Sequence, residues 1–325
     1  VDSVAANKFL SEALVTGELD HPNIIPIHDL GKTPDGKLFY AMKEIEGTSW
    51  NEVVKTKSQA ENLRILLAVC DAVAFAHDKG VIHRDLKPSN VMIGGYGEVL
   101  VMDWGLAASV GSDKAEPLTE HATLAGSPAY MAPEMALCDY TAMGCASDIY
   151  LLGAILYEMI TGKPPHPGDN ARDAIAAACD NELRPTDEKG ELVDIARHAL
   201  ATDPAKRYAS VREFQEAIHN HQAHAESVTL TESAANRLDA VAEKGGADAY
   251  REFNEIIGGF QQALHLWAGN RQAVYGLRAV REELTRTALT RGDLSLAGSQ
   301  VRAIEADVKQ WPLPGMQLAR PDDLA

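Results

Sequence analysis

Cysteine is scarce. Four residues, Cys70, Cys138, Cys145 and Cys179, are all that the 325 positions hold, and no two stand in a C-x-x-C spacing. This excludes a disulfide framework and a cysteine-built zinc site, and it suits a reducing cytoplasmic setting. No run of about 18 apolar residues occurs, so no membrane-spanning helix is expected in this chain. The longest apolar stretch, Ile149 to Ile160, is interrupted by Glu158 and reads as a buried helix. Positive charge is short as well. Lys and Arg number 30 against 47 Asp and Glu, a net charge of −17, and such a field repels nucleic acid and anionic membranes. A signal-peptide pattern is missing, and the first residue is Val1, so the sequence reads as a piece of a longer frame. What remains is a globular composition, 46% hydrophobic and 24% charged, in a chain long enough for two domains.

One apparent motif dissolves on inspection. Gly31 to Lys37 spells G-x-x-x-x-G-K, but Leu38 stands where a phosphate loop needs Ser or Thr, and no helix pattern follows. Pro34-Asp35-Gly36 marks a turn between strand-like runs at Asn23–Asp29 and Lys37–Met42. Helical spacing covers Phe9 to Leu19 and Asn62 to His77. Val99 to Met102 is a short strand, and Gly94 to Gly97 is a hairpin turn before it. Gly105 to Ser127 is a long loop. Later helices are expected at Ser147–Ile160 with Ser147 as N-cap, then at Asp173–Asp180, Glu191–Leu200 and Val211–His221. Strands early and helices late suit a two-lobed α+β arrangement.

The densest chemistry lies in His83-Arg84-Asp85-Leu86-Lys87-Pro88-Ser89-Asn90, followed by Asp103-Trp104-Gly105 and Ala132-Pro133-Glu134. A carboxylate that can accept a proton, a lysine that can neutralise developing charge, and an amide and a carboxylate oxygen that suit magnesium stand close together. Any one of them alone is commonly a turn residue or a cap. The joint pattern matches H-R-D-L-x-x-x-N, D-F-G and A-P-E, and over roughly Phe9 to His221 the chain resembles the eukaryotic-type serine/threonine protein kinases, bacterial in look.

The resemblance implies roles. Asp85 would accept the proton of the acceptor hydroxyl, Lys87 would stabilise the transferred group, and Asn90 and Asp103 would bind the metal, Mg2+ or Mn2+, that accompanies ATP. Met42 would be the gatekeeper, Lys43, Glu44 and Ile45 the hinge meeting adenine, and Met92 the opposite face of the base. Arg84 would grip a phosphate on the activation segment, with Thr119 and Thr123 as candidate phosphosites. Lys87 and Ser127 favour Ser/Thr acceptors on protein substrates. Glu134 and Arg207 would form a buried ion pair, Asp148 would hold the catalytic loop, and His83 would pack under Trp104.

Something is missing beside this match. Glu12 sits where the family's N-lobe helix carries a glutamate, yet neither a glycine-rich loop nor a strand lysine precedes it. The expectation is an N-lobe remnant at 1–45 and a C-lobe at 46–222, a fragment of an active kinase with little or no activity by itself. A linker is expected at 223–236 and an all-α tail at 237–325. Asn270, Ala273, Gly276, Leu277, Ala288 and Gly292-Asp293 resemble parts of a tetratricopeptide repeat, a surface for a protein partner. His219, His221 and His224 read as a solvated helix end. Two alternatives stand beside the kinase: a pseudokinase scaffold acting through the tail, and a small-molecule phosphotransferase of the aminoglycoside type, against which Ala132-Pro133-Glu134 and the long segment argue.

Overall fold

The computed structural model describes residues 9, 13, 16–109, 125–244 and 249–312. It divides into two units, Val1–Ile218 and His219–Ala325. Of the helix expected at 9–19, residues 10–12, 14 and 15 lie outside the described residues, and Phe9, Ala13, Thr16 and Gly17 are helical. The first unit is α+β. β1 (Ile27–Lys32) and β2 (Leu38–Met42) form an antiparallel pair in which Lys32 faces Leu38 and Ile27 faces Met42. Their turn is closed by Thr33 N–H to Lys37 O at 2.8 Å and Gly36 N–H to Thr33 O at 2.8 Å. Gly36 takes φ of 86°, a conformation open to glycine without steric cost. The first strand starts later than the sequence suggests, because Pro26 has no N–H to extend the ladder. The residues before it instead join the strand at Val99–Val101, through an Ile24–Val101 bridge and Ile25 N–H to Val101 O at 3.2 Å.

β3 (Gly47–Ser49) leads into the short α1 (Trp50–Val53) and the long α2 (Gln59–Asp78). Ser58 starts α2 through a capping box: its hydroxyl accepts Glu61 N–H, and Glu61 Oε2 accepts Ser58 N–H at 2.9 Å. Leu63, Leu66, Val69, Cys70, Val73 and Ala76 recur every three or four residues along one face and are all buried, which is what turns that face toward the core. β4 (Val81–Ile82), β5 (Val91–Gly94), β6 (Val99–Val101) and β7 (Ala108–Ser109) complete the strands. The order β3-β5-β6 forms one sheet and β4-β7 another. These short strands frame the loop that carries Asp85.

The helices α3 (Pro133–Ala136), α4 (Cys145–Thr161), α5 (Ala171–Cys179) and α6 (Glu191–Ala199) follow. Residues 147–158 of α4 are all buried, so this helix is covered all round and forms the centre of the unit. Ser147 is not its N-cap. The helix begins at Cys145 with Gly144 as cap, and the Ser147 hydroxyl accepts the Gly144 N–H at 3.2 Å while donating to Glu134 at 2.8 Å.

α7 (Val211–Lys244) is continuous through the polar stretch read as a linker. Its sequence holds no Gly or Pro, and its polar residues find partners: Ser227 donates to Ala263 O at 2.7 Å and Thr231 to Ser227 O at 2.8 Å. The unit boundary at 218/219 therefore falls inside a helix. The second unit adds α8 (Ala249–Leu266), α9 (Arg271–Thr290) and α10 (Leu294–Gln310). Asn270 caps α9 by accepting Ala273 N–H at 3.1 Å, and its amide donates to Ser227 and Thr231. Gly276 is required where α8 meets α9, since a Cβ there would lie 2.3 Å from the Phe260 ring. Asp293 caps α10 by accepting Leu296 N–H at 3.0 Å.

Candidate active site

The Asp85 loop runs between β4 and β5, and it is held from below. Asp148, fully buried on α4, accepts His83 N–H on Oδ2 and Arg84 N–H on Oδ1, both at 2.8 Å. Arg84 has φ of 69°, a left-handed conformation costly for a non-glycine residue, and its bond to Asp148 compensates. His83 is buried; its Nε2 reaches Met102 O at 3.1 Å and its Nδ1 accepts Asp85 N–H at 3.2 Å. These bonds assign a neutral ring. Burial lowers its pKa, against the pull of the Asp148 charge. The ring packs on Trp104 with centroids 4.6 Å apart.

Asp85 is 7% exposed and densely bonded. Ser127 donates to Oδ1 at 2.8 Å, Lys87 Nζ to Oδ2 at 2.9 Å and Asn90 Nδ2 to Oδ2 at 3.1 Å. Lys87 also donates to the Ser127 hydroxyl at 2.6 Å, and Asn90 to Asp85 O at 2.8 Å. A carboxylate offers about four lone-pair positions; three are taken, and one remains for a further donor. Both Asn90 donor bonds run to Asp85, so its amide oxygen is left as an acceptor.

Asn90 also lines a cleft together with Asp103, Ser89 and Thr16. Its apolar walls are Ile25, Ile27, Tyr40, Met42, Met92 and Met102. Asp103 has φ of 59° and is exposed, and among the described residues its carboxylate makes no hydrogen bond or ion pair. The Asn90 amide oxygen and the Asp103 carboxylate are hard donors that fit Mg2+, an ion that takes one or two protein oxygens and completes its octahedron with water and phosphate. The cleft measures about 240 Å³, under the roughly 300–1,000 Å³ usual for small-molecule sites. None of its described lining residues is Lys or Arg. Trp104 is 1% exposed, and its Nε1 has no partner among the described residues.

The remaining sequence candidates divide. Met42 and Met92 stand in the cleft. The Lys43 side chain does not; it binds Glu98 at 2.5 Å, and its N–H is taken by Pro26 O at 3.2 Å. The Glu44 and Ile45 backbone makes no hydrogen bond among the described residues, and neither residue lines the cleft. Glu12, Thr119 and Thr123 lie outside the described residues. Arg84 Nε donates to Leu106 O at 2.6 Å, and burial lowers its pKa. Glu134 and Arg207 form a two-pronged buried pair at 2.7 and 2.8 Å.

Three features were not legible. His77 Nε2 meets Asp148 Oδ2 at 2.8 Å across 71 positions. Tyr130 donates to Glu158 at 2.6 Å, and burial raises the pKa of both. His166 ties Tyr150, Met131 O and Glu182 O together. No local spacing signals contacts this remote. For Glu158, its interruption of an apolar run was the one available clue.

Comparison with known proteins adds to this geometry. The protein kinase domain family matches residues 1–222. The serine/threonine-protein kinase PknD of Protochlamydia amoebophila is 34% identical over 255 residues, covering 66% of this chain and 25% of the relative. The serine/threonine-protein kinase PknB of Mycobacterium tuberculosis is 32% identical over 253 residues, covering 71% and 40%. PknB of Mycolicibacterium smegmatis is 32% identical over 259 residues, covering 74% and 40%. The chain thus spans a quarter to two fifths of the length of these curated relatives.

Proposed function

The chain belongs to the protein kinase domain family, and from that premise we propose that it carries the phosphotransfer site of a serine/threonine protein kinase. ATP is the donor, and Ser or Thr hydroxyls of proteins are the acceptors. One observation carries this reading. Asp85, Lys87, Asn90 and Ser127 form a single bonded cluster, and through Asn90 it adjoins the cleft that holds Asp103. The fourth lone-pair position of Asp85 receives the acceptor hydroxyl and then its proton. Lys87 offsets charge on the transferred group. Asn90 and Asp103 would hold Mg2+, or Mn2+ in its place, which supplies charge neutralisation at the phosphates when bound. Met42 and Met92 would sandwich adenine, with Glu44 and Ile45 offering backbone groups to its edge. Arg84 would grip a phosphate carried on Thr119 or Thr123, and Glu134, Arg207 and Asp148 would hold the surrounding frame.

No Lys or Arg lines the described cleft itself, and Lys87 serves only its Asp85 end, which favours slow transfer by these 325 residues alone. The same observation supports the second reading, a pseudokinase scaffold whose helical tail binds a protein partner. For that tail the tetratricopeptide-like reading stays a proposal: α9 and α10 share the turn at Gly292-Asp293, yet the pair, Arg271 to Gln310, exceeds the roughly 34-residue period. A cytoplasmic location rests on the four free cysteines, which suit a reducing setting; separately, no helix among the described residues is long and apolar enough to cross a membrane.

The test is nucleotide binding by calorimetry together with phosphate transfer to a Ser/Thr peptide library, using this chain and the intact gene product. Asp85→Asn is expected to keep MgATP affinity and to lose transfer by about 10²–10⁴-fold. Transfer undiminished in Asp85→Asn would refute the catalytic reading. Absence of nucleotide binding in the intact product would favour the scaffold.

A further inference from the structure

We infer that His77 is a positioning residue of the catalytic loop, acting as a fixed counter-cation that keeps Asp148 ionised and bonded to the loop backbone. The argument starts from Asp148. Its side chain is fully buried, and it accepts three hydrogen bonds, two from the backbone of His83 and Arg84 and one from His77 Nε2, all at 2.8 Å. A buried carboxylate with backbone donors alone is costly, and without a cation it would tend to protonate. A protonated Asp148 would hold a hydrogen on one oxygen and lose an acceptor site that the loop needs. Arg84 would then have less to hold it at φ of 69°, and Asp85 is the next residue.

His77 is suited to supply that charge. It lies in the last turn of α2, where the helix dipole favours a cation. Its side chain is 10% exposed, so water screens the pair little. The titratable groups facing it are Asp148 and Cys145, both on α4. Burial opposes the imidazolium, but hydrogen bonds and charge from Asp148 and Cys145 overcome it and push the pKa up to about 9. Asp148 in turn is held below its usual value, burial being outweighed first by the His77 bond. The Arg84 guanidinium feels the Asp148 charge but bonds to Leu106 O, so His77 is the cation in hydrogen-bond contact with Asp148.

The experiment reads the loop directly. Amide hydrogen exchange of His83 and Arg84 is followed by NMR in the 325-residue chain and in His77→Gln and His77→Lys. Gln can keep a donor but removes the charge; Lys returns the charge. Exchange at those two amides is expected to accelerate roughly tenfold or more in His77→Gln, on the scale of a charged hydrogen bond, with global stability monitored alongside, and to be slowed again in His77→Lys. In the intact gene product, kcat should fall in His77→Gln with KM for ATP unchanged. Unchanged exchange in His77→Gln overturns the inference, and so does failure of Lys to restore protection. Should His77→Gln not fold, protected amides in His77→Lys support the proposal and exposed ones overturn it. The kinetic arm rests on the phosphotransfer reading and the exchange arm does not, so failure of either is recognisable.

Discussion

Replacing Arg207 by Met should cost the first unit far more than a surface charge would. The Arg207 side chain is 0% exposed and that of Glu134 4%. Arg207 donates to Glu134 at 2.7 and 2.8 Å, to Ala146 O and Ala201 O at 2.8 Å and to Thr202 O at 3.2 Å, and it lies 4.8 Å from the Tyr150 ring. Its removal leaves a buried carboxylate with a Ser147 hydroxyl at 2.8 Å as its remaining side-chain donor, together with three carbonyls deprived of a donor. Breaking one side of such a pair costs about 3–5 kcal/mol. For a unit of this size that corresponds to a fall in Tm of roughly 6–20 °C. The double change Glu134→Leu with Arg207→Met should recover part of the loss, because no charge is then stranded. Urea unfolding reads the effect in a Trp267→Phe, Trp311→Phe background, where the buried Trp50 and Trp104 of the first unit give the signal. A single-variant loss below about 1 kcal/mol, the range of exposed pairs, would refute the reasoning, as would a double variant less stable than the single.

Three further outcomes follow from the same coordinates. The folded pKa of His77, about 9, is above its usual 6.5; its contribution is therefore complete below about pH 6.5 and lost as pH rises through 9. Unfolding titrations should show up to about 3 kcal/mol less stability at pH 10 than at pH 6, and His77→Gln should flatten that slope. Gly276→Ala puts a Cβ 2.3 Å from Phe260 and should destabilise the second unit by about 1–3 kcal/mol, read by its melting; no change would mean that α8 and α9 separate without cost. Ser127→Ala removes a hydroxyl bonded to both Asp85 and Lys87 and should lower transfer by roughly 10–100-fold, while Ser127→Thr should retain it in the same rate assay.

Asp85, Lys87 and Asn90 were legible as candidates because they fall within eight consecutive residues, and spacing that short survives folding. Asp103 and Glu134 were legible for the same reason, as parts of short runs. Contacts made across the chain were not. Ser127 was read, with Lys87, as favouring Ser/Thr acceptors, but its bond to Asp85 spans 42 positions. His77 sits at the end of an amphipathic helix, where a histidine usually meets solvent, and only the fold brings Asp148 to it. The polar stretch after His219 misled because polarity was taken for a linker, whereas the absence of Gly and Pro and the buried bonds of Ser227 and Thr231 keep it helical. Lys43 was read as a hinge residue meeting adenine through its backbone, yet its N–H is taken by Pro26 O at 3.2 Å.

Arg84 and Asp103 both take the left-handed region without being glycine, a burden of about 1–3 kcal/mol each. Selection for thermal robustness alone would relax both toward Gly or Asn. A library sorted only on folding should therefore drift away from these side chains, and the variants that melt highest would be the ones that have lost the Asp103 carboxylate from the cleft.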